Sequence, residues 1–418
     1  MTGRCVIAGC GPAGAMLGLL LARQGVEVLV LEKHGDFLRD FRGDTIHPST
    51  IQIMDEIGLS DALLALPHAE IDRLRLRTAD GELTVADFTT LHSRWPYIAI
   101  LPQWDFLDLL TTEAAREPSF TLTMNAEAED LIVRDGVVRG LRWTDADGTH
   151  ETEADLVVAA DGRSSALRAA AGLVPVAGAP PMDVLWFRLS RQPGDPEGIN
   201  ARVDGGRILI LINRAEHWQA GYVIPKGQAE QVRAAGLGAF RARLAALTRL
   251  DPGPDGEALA ERFGELTDWD QIKLLDVRAN RLRRWWRPGF LCIGDAAHAM
   301  SPVAGVGINL AIQDAVVAAN VLGAPLREGR LRDAHLAAVQ RRRIVPTVII
   351  QGAQSLLQRR LVAQALRVKR VTIPPIVQRL TRLPVIRAVP PRLVGYGVWP
   401  VHVRAGRTPT RALEGSDR

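Results

Sequence analysis

Glycine stands at the first, third and sixth places of Gly9-Cys10-Gly11-Pro12-Ala13-Gly14. A short apolar run, Arg4 to Ala8, leads into this segment. An Ala/Leu-rich stretch from Gly14 to Gln24 follows, with Gly25 placed to cap it. Val26 to Leu31 is a second β-rich run. The order predicts a strand, a helix and a parallel strand, and so a parallel sheet. Gly9 permits the tight turn. Gly11 lets a pyrophosphate approach the backbone, and Gly14 lets helix and strand pack closely, with Pro12 and Ala13 completing the phosphate-facing turn. Glu32 ends the second strand. Its carboxylate suits two ribose hydroxyls and repels a 2′-phosphate, which favours FAD or NAD over NADP at this site.

The chain has 418 residues, 47% apolar and 23% charged, the composition of a globular enzyme with a large core. At roughly 150 residues per domain, two or three domains are expected. Cys5, Cys10 and Cys292 lie in apolar stretches without metal-ligand spacing, so reduced core thiols and no metal site are expected. No room for a leader precedes the first strand, and no apolar run reaches the roughly 20 residues of a spanning helix. A cytoplasmic location follows as the expectation.

Further along, Arg73-Leu74-Arg75-Leu76-Arg77 alternates as a half-buried strand does. Gln103 to Arg116 reads as an amphipathic helix. Strands are expected over Leu131 to Arg134, Val137 to Trp143, Asp155 to Ala160, Val184 to Leu189, Arg207 to Ile212, Gln219 to Ile224 and Phe290 to Ile293, with helices over 228–250 and Ile308 to Leu322. The pattern is α/β: a Rossmann-like domain of residues 1–70, 101–178 and 281–340, interrupted by an antiparallel-sheet substrate domain of 71–100 and 179–280. A basic, helical C-terminal region of 341–418 follows.

Two more segments narrow the cofactor. One is DLVVAADGRSSALR, from Asp155 to Arg168. The other is FLCIGDAAHAMSPVAGVGIN, from Phe290 to Asn309. With the opening motif, in this order and spacing, residues 1–340 resemble the single-component FAD-dependent monooxygenases, the para-hydroxybenzoate hydroxylase type. The resemblance implies FAD, held by Gly9, Gly11, Pro12, Ala13, Gly14, Glu32, Lys33, Arg42, Gln103, Ala128, Asp161, Gly162, Gly294 and Asp295. It also implies that Pro302, Gly305, Val306, Gly307, Ile308 and Asn309 run along the flavin ring. Helix N–H groups there would stabilise charge at the flavin N1 and C2 carbonyl. His298 is expected to be a packed, hydrogen-bonded histidine rather than an acid or base.

The chemistry implied is reduction of FAD by NADPH or NADH, binding transiently because only one GxGxxG is present. Addition of O2 then gives a C4a-hydroperoxide, which hydroxylates or epoxidises an apolar, aromatic or polyketide-like molecule. Trp186, Phe187, Trp218 and Tyr222 either line the substrate pocket or face the core. The competing enzyme is a flavin-dependent reductase or oxidase of an isoprenoid or other lipid. A halogenase is disfavoured, because WxWxIP is missing.

Residues 341–418 hold sixteen Lys and Arg against two acids, Glu414 and Asp417, a charge of +14 over a body of −10. Pro346, Pro374, Pro375, Pro384, Pro390 and Pro391 are expected to cut this region into short helices. It either docks on the acidic body or contacts a membrane peripherally, docking being preferred. Nucleic-acid binding is not expected of a region without aromatic interleaving or a reader motif. The oligomeric state is not encoded in any of these features.

Overall fold

Arg4–Ala8, Glu27–Glu32, Leu156–Ala159 and Phe290–Cys292 pair in parallel and, with Phe120–Met124 and the antiparallel edge Trp286–Arg287, make a six-stranded sheet. These strands are buried on both faces, as near-continuous apolar runs in a parallel sheet should be. The computed structural model describes residues 3–38, 45–195, 198–214, 216–248, 250, 254–359 and 384–404. Two helices, Pro12–Ala22 and Gly307–Arg327, pack together over the sheet. By length and composition Gly307–Arg327 could cross a membrane, but 78% of its most apolar window is buried inside the protein. Here that apolarity serves a core helix, because it is covered by other elements.

The second sheet has seven strands in the order Lys273–Leu275, Met182–Ser190, His217–Pro225, Arg207–Asn213, Ile199–Asp204, Arg73–Thr78, Gly81–Asp87. All pairings are antiparallel except that between Ile199–Asp204 and Arg73–Thr78. One face is covered by the Ala229–Ala234, Leu237–Thr248 and Pro254–Arg262 helices through Val232, Phe240, Leu244, Leu247 and Leu259. The expected single helix over 228–250 is two, because Gly236 adopts φ +86° between them. A three-stranded sheet of Thr45–Ile46, Ile98–Ile100 and Ala69–Ile71 lies against the strand Arg73–Thr78, and Glu127–Arg134, Val137–Asp145 and Gly148–Glu153 form an antiparallel meander.

The prolines do not divide the C-terminal region as expected. Asp333–Leu357 is one 25-residue helix with Pro346 inside it, and Pro384–Tyr396 contains Pro390 and Pro391. Tertiary contacts outweigh the lost hydrogen bonds. Buried Pro346 is flanked by Arg343, fully buried and bonded through Nε to Asp314 Oδ1 at 2.7 Å, and by Thr347, whose hydroxyl donates to the Arg343 carbonyl. Pro374 and Pro375, and the stretch Leu361 to Leu366, lie outside the described residues. Residues 384–404 dock on the body: Val403 N donates to Glu56 Oε2 at 2.7 Å, and Asn320 exchanges hydrogen bonds with His402 and Arg404.

Asp314 is the fixed point of this half of the molecule. One oxygen accepts from the Gly294 N–H at 3.0 Å and meets His298 Nε2 at 2.6 Å; the other takes Arg343. Burial opposes ionisation of Asp314, and the His298 and Arg343 partners outweigh it, leaving the carboxyl below its ordinary value. Replacing Arg343 by Ala leaves a buried carboxylate short of a charge partner, so urea unfolding should show a loss of about 3–5 kcal/mol. Because the folded-state pKa lies below the unfolded one, the stability Asp314 contributes is present above pH 3.8 and is lost as pH falls below it. In Asp314→Asn this part of the acid limb should flatten in a pH series of unfolding midpoints.

Candidate functional site

Ala8, Glu32, Ala159 and Cys292 end four neighbouring parallel strands. The Gly9 turn, Glu32, Asp161 and Asp295 therefore come together along one edge, the place where open α/β sheets bind ligands. Gly9 takes φ +95°, and a Cβ there would lie 2.5 Å from the Ala160 carbonyl oxygen. A Cβ on Gly14 would overlap the Gly9 carbonyl oxygen. A Cβ on Gly11 would meet no heavy atom within 4 Å. Gly9 and Gly14 thus close the turn against the protein, while Gly11 borders open space. That space lies at the start of Pro12–Ala22, which has Pro at its first position and no side-chain cap. Uncapped N–H groups and the positive end of the helix fit a pyrophosphate.

Glu32, 7% exposed, accepts from the Cys10 N–H at 2.9 Å and from His34 Nδ1 at 2.6 Å. Its carboxylate is thereby aimed along the glycine turn. The Ala126 N–H donates to the Glu32 carbonyl, bringing the Glu127–Arg134 strand, which holds Ala128, close to Glu32. Lys33 is exposed and 3.9 Å from Glu127. Gln103 opens the Gln103–Ala114 helix. Arg42 lies outside the described residues.

Asp161 is half-buried, and its buried Oδ1 has no hydrogen-bond partner among the described residues. Burial pushes its carboxyl above the ordinary range, against hydrogen bonds from Ser165 and the Leu167 N–H. A buried oxygen left without a donor is costly, and a cofactor hydroxyl fits that need. Gly162, at φ +83°, borders open space as Gly11 does. Arg168 pins the segment in place: its guanidinium donates to the Ala296 carbonyl at 3.0 Å and the Arg163 carbonyl at 2.9 Å. Two sequence motifs far apart in the chain are thus tied directly together.

Gly294 takes φ +58°, with the Ala13 and Ala311 methyls 3.1 and 3.3 Å from where its Cβ would be. Asp295 sits half-buried in the short turn Gly294–Ala296. Beyond it, Pro302 is exposed, and Ala304 and Gly305 are both left-handed, at φ +65° and +63°. Gly307 then begins a long helix, again without a side-chain cap. Val306 and Ile308 turn their side chains into apolar clusters, so they offer a cofactor backbone only. The Asn309 side chain is occupied within the protein. Its Oδ1 accepts from the His47 N–H at 3.0 Å and the Thr50 hydroxyl at 2.7 Å, and its Nδ2 donates to the Thr45 carbonyl at 3.2 Å. The Thr45 hydroxyl donates to the Gly305 carbonyl at 2.8 Å. His298, 1% exposed and held by Asp314, is a packed histidine, as expected.

The aromatic candidates divide between the faces of the seven-stranded sheet. Trp218, Tyr222 and Phe187 face the helical layer: Tyr222 and Phe187 meet Phe240 edge-on, and Trp218 Nε1 donates to Asp195 at 3.0 Å. They are core, because strand alternation sends them away from the loop of Pro302 to Gly307. Trp186 is on the other face, in a cluster with Val303 of that loop. Its ring lies over Gly221, where a Cβ would be 2.8 Å from Trp186 Cζ3. The contacts of Arg168, Asp314, Arg343 and His47 were not anticipated from sequence. Only the proximity of Arg168 and Ser165 within one motif hinted at any of them.

A dinucleotide cradle, a buried carboxylate oxygen without a donor and a glycine loop before an uncapped helix together fit a flavoprotein. Residues 3–353 match the FAD binding domain family, and the chain belongs to it. It is 31% identical to 6-methylpretetramide 4-monooxygenase of Streptomyces rimosus, over 96% of this chain and 94% of that one. Digeranylgeranylglycerophospholipid reductase 2 of Methanothermobacter thermautotrophicus is 28% identical, over 81% of this chain and 82% of that one. The fold is shared with the solved structure of pqsL, a probable FAD-dependent monooxygenase from Pseudomonas aeruginosa, with TM-score 0.74 and 24% identity, covering 87% of this chain and 98% of that one. The protein is an FAD-dependent monooxygenase.

The contrast between Gly11 and Gly14 gives a direct test. Gly11→Val should fold with an unchanged circular dichroism spectrum yet bind FAD at least about tenfold more weakly in a fluorescence-quenching titration, a loss of about 1.4 kcal/mol or more. Gly14→Val should fail to fold, because its side chain meets protein backbone rather than ligand.

Proposed function

We propose that this enzyme hydroxylates an apolar, fused-ring phenol of polyketide type, with NADPH or NADH as electron donor. One observation carries the reading: a half-covered apolar surface abuts the flavin loop. Trp186, Gly221, Ile210, Ala201 and Leu76 form a row across the seven-stranded sheet. All but Gly221 are only half-buried, and Gly221 is covered by the Trp186 ring. Apolar surfaces of this kind suit flat apolar ligands. The 6-methylpretetramide 4-monooxygenase named above acts, by its name, on 6-methylpretetramide.

FAD, when bound, supplies electron acceptance from the nicotinamide and activation of O2. The rest is the work of the chain. Gly9 to Gly14 hold the pyrophosphate on helix N–H groups, and Glu32 receives the ribose hydroxyls. Asp161, Asp295, Gln103 and Arg42 orient the remainder of the cofactor. The backbone from Pro302 to Gly307 runs along the ring, where the uncapped Gly307–Arg327 helix presents N–H groups to negative charge. Trp186 provides a flat, water-excluding wall for the substrate. Docking of residues 384–404 on the body supports attachment of the basic region to the protein itself rather than to a membrane surface.

The purified enzyme should oxidise NADPH at least about tenfold faster with a fused-ring phenol present, and should transfer one atom of labelled O2 to it. Saturation of a double bond with no oxygen incorporated would replace this reading with the lipid-reductase one. Trp186→Ala should raise KM by about tenfold and divert reducing equivalents to hydrogen peroxide, read as peroxide formed per NADPH consumed.

A further inference from the structure

The half-covered apolar row of the seven-stranded sheet lies between two other rows. Strand register places all three on one face of the sheet. Val184, Val223, Ile208 and Val203 lie nearest the flavin-loop residue Val303. The row containing Trp186 and Ile210 comes next. The third row contains Ile212, Ile199 and Leu74. Successive rows are two residues apart along the strands, so the first and third are separated by about 13 Å. Val394 of the Pro384–Tyr396 helix and the third-row residues Ile212, Ile199 and Leu74, all four half-buried, pack against one buried cluster of Ile71, Ala86, Phe88, Ile98 and Ile100.

That helix is held in place at several points. The Val394 carbonyl accepts from His47 Nδ1 at 2.7 Å. Arg387 pairs with the buried carboxylate of Asp87, and the Tyr396 hydroxyl donates to Ser93 Oγ at 2.7 Å. At Gly395 the backbone comes close to the body: a Cβ there would lie 3.3 Å from both Leu91 Cδ1 and Pro48 Cγ. His47 also donates its backbone N–H to Asn309, whose side chain holds the flavin-loop residue Gly305. Burial lowers the His47 pKa to about 4, so the ring is neutral at working pH, and Nδ1 is the protonated atom because its partner is a carbonyl. The flavin loop and the C-terminal helix therefore belong to one hydrogen-bonded frame that fixes the distance between them.

We infer that the Pro384–Tyr396 helix is the far wall of the substrate trench and that Val394 sets the length of fused-ring substrate admitted. The inference rests on the proposed substrate class. A C-terminal segment far in sequence from every cofactor motif thereby becomes a determinant of specificity. The wall is apolar where it faces the trench, so it selects by length rather than by hydrogen bonding.

The test uses the FAD-loaded full-length protein titrated with 1-naphthol, 1-hydroxyanthracene and 1-hydroxytetracene, read as perturbation of the flavin absorbance. Val394→Phe should weaken binding of 1-hydroxytetracene by about tenfold or more while leaving 1-naphthol within about threefold. Val394→Ala should shift the preference the opposite way, and it keeps the test alive if the larger side chain lowers the yield of folded protein. Val389→Phe, on the same helix but 57% exposed, should change neither. An unchanged ratio among the three phenols in both Val394 variants would overturn the wall alone. Failure of the unmodified enzyme to bind any of them would overturn the substrate class, and the wall with it.

Discussion

The Pro12–Ala22 helix begins without a side chain to satisfy its first N–H groups, and the space in front of it is left open by Gly11. Much of the architecture follows from that single arrangement. The helix start can sit so close to the sheet only because Gly14 has no Cβ to strike the Gly9 carbonyl, and because Gly9 can adopt a left-handed conformation against Ala160. With the turn closed, the Cys10 N–H reaches Glu32 and sets its carboxylate beside the same space. In the proposed site the anion and ribose ends are thus built from one turn, and the cost of leaving helix N–H groups unpaired would be offset when a dinucleotide binds.

The flavin end depends on different physics. Its loop includes two consecutive left-handed residues, one of them Ala304, where a non-glycine side chain makes that conformation unfavourable. Such a loop persists only if its surroundings impose it. Asn309 and Thr45 grip Gly305 from one side. On the other, Asp314 ties Gly294 and His298 to Arg343 on a separate helix. The ion pair is wholly buried, so it contributes specificity of placement more than net stability.

Function is most legible where it is written in consecutive residues. Asp161-Gly162 and Gly294-Asp295 read as cofactor segments through the family resemblance, whereas Gly9 to Gly14 and Glu32 are recognisable because each is a local backbone requirement with an adjacent strand. The parallel strands were legible for the same reason. What escaped was set by contacts between distant residues. The strand Ile199–Asp204 was overlooked, being identifiable chiefly through its partners. Trp218 and Tyr222 were candidates for the substrate pocket on composition, yet the phase of strand His217–Pro225 sends them to the helical side. Pro346 reads as a helix breaker in isolation, and only the buried neighbourhood of Arg343 and Asp314 explains why the helix continues. The role of residues 384–404 was open in the sequence between docking and membrane contact. Their hydrogen bonds to Glu56, Ser93 and Asn320 could not be read from charge alone.

In the proposed site the glycine turn and Glu32 together hold the adenine-dinucleotide half of one FAD. Calorimetric titration of the deflavinated protein with FAD and with FMN tests it directly, since FMN carries the flavin ring but neither the adenosine nor the pyrophosphate. The account predicts one FAD per chain and FMN binding weaker by at least about a hundredfold, on the order of 2.7 kcal/mol. Equal affinity for the two, or a second FAD bound per chain, would contradict it.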